Sequence, residues 1–454
     1  MNLLKNMLKL DIKNEIKIII LLALPIIANG FLESSYGFMN TFLVAHLGEA
    51  ELAVNALVSM LFVTLMVIFW GIISGVSIVI SHYHGAQNDD AIRGVMRDSL
   101  KLSMLAAVPI MLLLWFAPTL FHWAGQSDFV VNESRKYLHA LMWAVPTDLP
   151  GYALMQLFMG ISRPRVNFIF TLAYIPGLLL INYCFMFGKL GLPAMGIAGI
   201  GWGTTVAYTL YLIAMMIFIY HVPEYRHFFK FKNLSVTQRY TKEILTIGLP
   251  LGAMYSIEIA YFLVLAIFMG KFGNLVLAAH QIVIQYFWVF MTVTFSIGQA
   301  LSIRAGWRLG RHEPQWIMPI VNAGQKMVLI YICLVGLIFW AFPHYLIAID
   351  FHDAAPPENA LVSTAVYLFI FAAVFQIADS IRITYFSILR GMKDMSFTLI
   401  VSMITFWGIA LPLGYYLAFV HERNPAGLWE GLIISGMVGS VLLWLRLKAK
   451  VAKL

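Results

Sequence analysis

Four carboxylates in this chain fall where carboxylates are expensive: Glu33, Asp148, Glu258 and Asp379 each sit well inside an apolar run. The run Gly248–Gly273 shows the case simply, with Glu258 in its middle and only Lys271, near its end, as a second charge. A charge placed deep in such a segment costs about 2.5–3.5 kcal/mol on insertion scales, so a side chain with a packing role alone would be apolar. Desolvation disfavours the charged form of a carboxylate and a bound cation favours it, so one acid can register which ligand is present. The four acids therefore point to a central cavity that binds cationic cargo and exchanges it for a proton or a metal cation. The competing role for each is a helix–helix contact with a hydrogen-bond partner. Asp148, in Pro146-Thr147-Asp148-Leu149-Pro150, could instead accept from backbone donors freed by a kink.

Arg382 lies three residues beyond Asp379, the spacing at which helical side chains meet. It either neutralises the acid or reaches outward along the cavity wall; the sequence leaves both open. Tyr36, Tyr255, Tyr261, Phe262, Trp288, Tyr385 and Trp407 lie in the same or neighbouring runs, in a chain with 24 methionines. Aromatic faces attract organic cations and methionine surfaces repack around varied ligands. Lipid contact and helix packing are the commoner role for any one of these residues.

The elements that must position these groups are membrane helices. The 454 residues are 61% hydrophobic and only 11% charged, with a mean hydropathy of +0.82; a soluble chain carries about 25% charged residues. Apolar runs long enough to cross a bilayer recur throughout. Twelve spans are predicted near 16–44, 52–81, 99–121, 136–160, 167–188, 195–221, 243–270, 276–306, 318–346, 360–389, 397–420 and 427–447. Pro25, Pro146, Pro150, Pro176, Pro250 and Pro412 are candidate kink sites. Lys5, Lys9, Lys13 and Lys17 lead directly into the first span, which reads as an uncleaved helix. Cys184 and Cys333 lie inside apolar runs, so no disulfide framework is expected.

The net charge of +8 comes from basic residues between the spans, which orient helices and do not signal nucleic acid. Arg93, Arg97, Lys101, Arg163, Arg165, Lys230, Lys232, Arg304, Arg308, Arg311, Arg390 and Lys393 fall in alternate connections, on the side of both basic termini. The other connections hold few, with acids such as Glu49, Glu51, Asp350, Asp353 and Glu358. Both termini are therefore expected in the cytoplasm.

The polar stretch from Pro223 to Lys242 separates two similar halves. A shift of 225 residues aligns Pro25 with Pro250, Glu33 with Glu258, Tyr36 with Tyr261, Gly48 with Gly273 and Gly85 with Gly310. A second register, shifted by 231, aligns Asp148 with Asp379 and Gly160 with Gly391. All four mid-span acids are thus repeat-related pairs. Six helices per half enter the membrane in the same sense, a parallel repeat of the kind found in secondary transporters. No phosphate-binding Gly-Lys-Ser/Thr loop and no His-Glu-x-x-His motif occurs, which removes ATP as energy source and a zinc-hydrolase reading.

These residues resemble the multidrug and toxic compound extrusion family, of the NorM type, over essentially the whole chain. The resemblance rests on Ala-Leu-Pro opening helix 1, Gly-Leu-Pro opening helix 7 ahead of Glu258, and Ala278-Ala279-His280-Gln281 in helix 8. It rests also on Asp379 upstream of Leu389-Arg390-Gly391-Met392-Lys393-Asp394. It implies export of cationic amphipathic compounds driven by inward sodium or proton flow, with Glu258 and Asp379 as the cation-coupling acids and, if sodium is used, its ligands. The family often carries an acid in helix 1 where this chain has Asn40, near Asn182 and Thr204 of a polar cluster. An amide cannot titrate; Glu33, two helical turns away, could substitute on the same face.

The expected protein is all-α and polytopic, with twelve transmembrane helices in two pseudo-symmetric six-helix lobes, residues 1–225 and 226–454. Its expected activity is that of a secondary multidrug antiporter in the plasma (bacterial inner) membrane, monomeric, with organic cations and membrane lipid as partners and no cofactor beyond the coupling ion. The site is expected from Glu258, Asp379, Glu33, Asp148, Asn40, Asn182, Thr204, Tyr36, Tyr261 and Arg382. Alternatives are a flippase for a lipid-linked saccharide, whose anionic cargo suits a cationic cavity, and an intramembrane enzyme, which would need a nucleophile or metal cluster. Inward flow of one cation at 100 mV supplies about 2.3 kcal/mol, enough for a modest cargo gradient without ATP. Glu258→Gln is predicted to abolish drug export with the protein still folded and inserted; unimpaired resistance in cells expressing it would remove the coupling role.

Overall fold

A computed structural model describes residues 2–230, 239–350 and 360–454, with side chains from residue 13 onward except 349 and 350. Lys232, Asp353 and Glu358 therefore lie outside the described residues, as do the side chains of Lys5, Lys9 and Asp350. Among the described residues there is no strand. The first half of the chain forms α1 (Asn2–Ala45), α2 (Glu49–Gly85), α3 (Asp89–Trp123), α4 (Asp128–Leu141), α5 (Val145–Gly160), α6 (Pro164–Phe187), α7 (Ala198–His221) and the short α8 (Pro223–Arg226). The second half forms α9 (Arg239–Gly270), α10 (Asn274–Gly310), α11 (Ile317–Ala341), α12 (Pro343–Asp350), α13 (Ala360–Gly391), α14 (Met395–Ser402), α15 (Leu411–Tyr415) and α16 (Pro425–Val451).

Eleven segments of the described chain are helical, long and apolar enough to cross a membrane. The remaining predicted span is the pair α4–α5, interrupted by a 3₁₀ turn at Met142–Ala144. Proline explains the interruption. Pro146 has no N–H to bond the Met142 carbonyl and its ring crowds that group, so the chain tightens just before it. Around Pro412 the helix widens instead, and π-helical turns at Met403–Ala410 and Tyr416–Val420 flank α15. Pro25, Pro176 and Pro250 are accommodated inside α1, α6 and α9. Cys184 and Cys333 are both free.

The internal repeat is visible in the backbone. Gly48 (φ 142°) and Gly273 (φ 105°) precede α2 and α10 in the left-handed region that a side chain disfavours, and they are repeat mates. Gln87 and His312 share positive φ at the first register, and Ser162 and Lys393 at the second. Two sequences only distantly alike thus turn at the same places.

Two compact units result, residues 28–252 and residues 1–27 with 253–454. Neither boundary lies in the polar connection; each falls inside a helix, just past Pro25 in α1 and just past Pro250 in α9. The packing explains the placement. Glu15, in the first part of α1, accepts from Arg304 of α10 at 2.7 Å and also pairs with Arg308, so that part of α1 belongs with the second repeat. The first part of α9 correspondingly packs on α2, where the Tyr83 hydroxyl donates to Glu243 at 2.9 Å. In the unit containing 253–454, α10 packs on α13 and α13 on α16. Asp394, before α14, pairs with Arg446 (2.8 Å) and Lys450 (3.2 Å) of α16. Burial raises the Asp394 carboxyl's pKa, but the Arg446 hydrogen bond and Lys450 outweigh it and hold the group below its usual range.

The α2–α9 approach depends on the absence of a side chain at Gly248, where a Cβ would stand 2.1 Å from the Ile72 carbonyl oxygen. Backbone cannot yield as a side chain can, and overpacking costs about 1–3 kcal/mol or more. Gly248→Val should therefore lower the unfolding temperature in detergent, whereas Leu249→Ala, at a neighbouring exposed residue, should barely move it.

Candidate functional site

In the unit containing residues 253–454, the sequence-singled acids converge on one arginine. Glu258 stands midway along α9, and Asp379 and Arg382 stand one turn apart on α13. Arg382 Nε donates to Asp379 Oδ1 at 2.6 Å and Nη1 donates to Glu258 Oε1 at 2.9 Å. The question left open by the sequence is thereby answered, since the arginine bridges both acids. The Ser402 hydroxyl, at the end of α14, donates to the same Glu258 oxygen at 3.2 Å. All three charged residues are buried, at 9%, 4% and 3% exposure for Glu258, Asp379 and Arg382. Two carboxylates share one guanidinium, so the cluster carries one negative charge in excess when both acids are ionised.

The surroundings hold the arginine in place. The Phe406 ring lies 5.0 Å from the guanidinium carbon, within the range of a cation–π contact. Gly439 of α16 leaves the groove for its stem, where a Cβ would come within 3.1 Å of Arg382 Cδ. Phe406 and Trp407 both belong to the π-helical turn at Met403–Ala410, and the Trp407 indole donates to the Ile257 carbonyl at 3.1 Å, fastening that turn beside Glu258. π-Helical turns recur at functional sites. Tyr261, expected at the site, instead lies in the apolar core, 1% exposed, with its ring 5.2 Å from Phe406. His280 is also in the core, against Trp429 at 5.7 Å. Among the described residues no three His, Cys, Asp or Glu side chains cluster as a metal site.

The other acid pair behaves differently. Within residues 28–252 a cavity of about 770 Å³ is lined by α1, α2, α4, α5, α6 and α7. Glu33 and Asp148 both open onto it, with Tyr36, Asn40 and Thr204. Glu33 and Asn40, two turns apart on α1, share the cavity face as their spacing predicts. Asp148 accepts the Trp70 indole N–H at 2.8 Å, and Glu33 accepts from Asn29 at 2.7 Å. A freed backbone donor is thus not what Asp148 serves. Among the described residues neither acid has a lysine or arginine partner. The Asn182 amide stands 3.5 Å from the Tyr36 hydroxyl, and Asn40 stands 3.5 Å from Asn55. Asn182, expected at the site, is buried behind the cavity lining and meets it through Tyr36. Buried polar atoms with no protein partner border this space: Asn40 Oδ1 and the hydroxyls of Tyr174 and Tyr211. Tyr208 joins those two tyrosines on the wall, with Tyr174–Tyr208 and Tyr174–Tyr211 ring separations of 5.8 and 4.9 Å.

Sequence reasoning missed Trp70, Ser402, Phe406 and the tyrosines at 174, 208 and 211. For α7 a signal was present, because Thr204, Tyr208 and Tyr211 recur at the four- and three-residue steps of one helical face. For Ser402 and Phe406 none was, since their roles depend on which helix neighbours which.

Opposite charges 4 Å apart attract by about 4 kcal/mol at an effective dielectric of 20, and breaking a buried pair by removing one partner costs about 3–5 kcal/mol. Arg382→Met should therefore lower the unfolding temperature sharply, because it leaves Glu258 and Asp379 facing each other. Adding Glu258→Gln to that variant should recover part of the loss; equal melting of the single and double variants would show that the bridge carries little energy.

Comparison with known proteins places the chain among transporters. It matches the MatE family over residues 25–184 and 250–416. It is similar to a probable multidrug resistance protein NorM of Mesorhizobium japonicum, at 31% identity over 96% of this chain and 94% of that protein. It is similar also to the multidrug resistance protein PmpM of Pseudomonas aeruginosa, at 26% identity over 96% of this chain and 92% of that protein. Among solved structures, a mutant of the Vibrio cholerae MATE transporter VcmN superposes with a TM-score of 0.88 at 15% identity, covering 98% of both chains. The outward-facing conformation of a multidrug resistance MATE family transporter of the MOP superfamily gives 0.86 at 17% identity, covering 97% of this chain and 96% of that one.

Proposed function

The chain belongs to the MatE family, and from that premise we propose that it is a secondary active multidrug efflux antiporter. It exports small molecules across the membrane in which its helices lie, in exchange for inward sodium ions or protons, and it is a transporter and not an enzyme. The cargo is cationic and amphipathic. The observation that carries this reading is the cavity within residues 28–252, where Glu33 and Asp148 meet a wall of tyrosines and no arginine or lysine. Two acids beside apolar and aromatic walls attract a cation, the aromatic faces add cation–π attraction, and the orphaned Asn40, Tyr174 and Tyr211 atoms supply hydrogen bonds to varied polar groups.

Glu258 and Asp379 form a second acidic station, whose one negative charge in excess over Arg382 can be met by a proton gained and lost. No separate cofactor enters the cycle. The basic connections support both termini being cytoplasmic, and the bacterial relatives support residence in the bacterial inner membrane. Each transporter is taken to work as a monomer, in contact with lipid along its exposed apolar faces. The acidic lining disfavours a lipid-linked saccharide, whose phosphates would meet like charge.

The test is efflux of a fluorescent organic cation from liposomes holding the purified protein, with sodium and pH gradients imposed separately. Transport should follow one gradient or the other and should fall about tenfold or more in Glu33→Gln and in Asp148→Asn, in keeping with the loss of a charge partner. Efflux indifferent to both gradients would sink the antiport reading, and full activity in both variants would remove the cavity from the cargo path.

A further inference from the structure

Of the two coupling ions open to a transporter of this kind, sodium is the one that the Glu258–Asp379 station does not fit. We infer that Arg382 is a specificity-determining residue, a tethered cation that takes the place of a sodium ion between Glu258 and Asp379. The inference rests on the antiport reading for its meaning, although the chemistry stands without it.

A hard cation is held by several oxygens that can close around it. The oxygens converging here are Glu258 Oε1, Asp379 Oδ1 and the Ser402 hydroxyl. Both carboxylate oxygens already accept charge-assisted bonds from one planar guanidinium, through Nε at 2.6 Å and Nη1 at 2.9 Å. A guanidinium stays charged at any physiological pH, and its rigid fork suits two acceptors better than a point charge does. It is also not free to step aside. Phe406 covers it at 5.0 Å, the cleft at Gly439 seats its stem within 3.1 Å of a Cβ position, and it is 3% exposed. A sodium ion entering would share both acids with a fixed positive charge a few ångströms away, in surroundings with little water to screen them. Removal of the guanidinium would leave two acids and a hydroxyl with no fixed cation between them. The repeat supplies a contrast. Glu33 and Asp148, the mates of Glu258 and Asp379, have no arginine or lysine among their described partners, so this pairing is particular to the second repeat.

The experiment measures sodium binding to purified protein in detergent, by ²²Na⁺ binding and by the rise in unfolding temperature with NaCl against equal N-methylglucamine chloride. Wild type should show no sodium response that depends on Glu258, whereas Arg382→Gln and Arg382→Ala should acquire one, with a midpoint about tenfold or more below the highest sodium concentration at which wild type stays unresponsive. A wild-type response that disappears in Glu258→Gln would overturn the inference, as would a folded Arg382 variant that stays indifferent to sodium. A wild-type response retained in Glu258→Gln assigns sodium to another place and supports it. If neither Arg382 variant is recovered folded, the wild-type and Glu258→Gln titrations decide alone. Failure of the antiport reading would appear separately, as efflux that follows no gradient, with the binding result unchanged.

Discussion

Much of the second repeat's interior is arranged around one guanidinium. Arg382 joins Glu258 on α9 to Asp379 on α13, and a charge buried among apolar helices must be met internally because no water is there to meet it. Each neighbouring feature serves that requirement: the glycine on α16 that makes room, the π-helical turn that brings Phe406 over the charge, and the Ser402 hydroxyl that completes Glu258. Replacing any of these changes how well three charges are accommodated at once.

The first repeat solves the same problem in another way. Glu33 and Asp148 hold the corresponding positions but are met by neutral donors, Asn29 and Trp70, and by a cavity. An amide or indole N–H steadies a carboxylate without cancelling its charge, so the pair can still attract a cation. The two repeats thus hold acidic stations of different character, one internally compensated and one opening onto a cavity.

Repeat symmetry also governs how the units are made. The opening part of α1 is grouped with the second repeat and the opening part of α9 with the first, through the Glu15–Arg304–Arg308 cluster in one case and the Gly248–Ile72 approach in the other. Both boundaries follow a proline two residues behind, where a helix loses a hydrogen bond and bends at little further cost.

Fold class, span positions, repeat registers and the four acids were legible in the sequence, because each depends on local composition or on spacing along a single helix. Hydropathy marks a helix that must cross lipid, and a carboxylate in such a helix is conspicuous for its cost. The i,i+3 spacing of Asp379 and Arg382 also allowed their pairing to be foreseen as one of two options. The tertiary structure alone decided that Arg382 reaches Glu258, 124 residues away, that Tyr261 turns into the core while its mate Tyr36 faces a cavity, and that the units divide within helices. Those outcomes depend on which helix faces pack together, and a periodic apolar pattern states that a face is buried without stating against what.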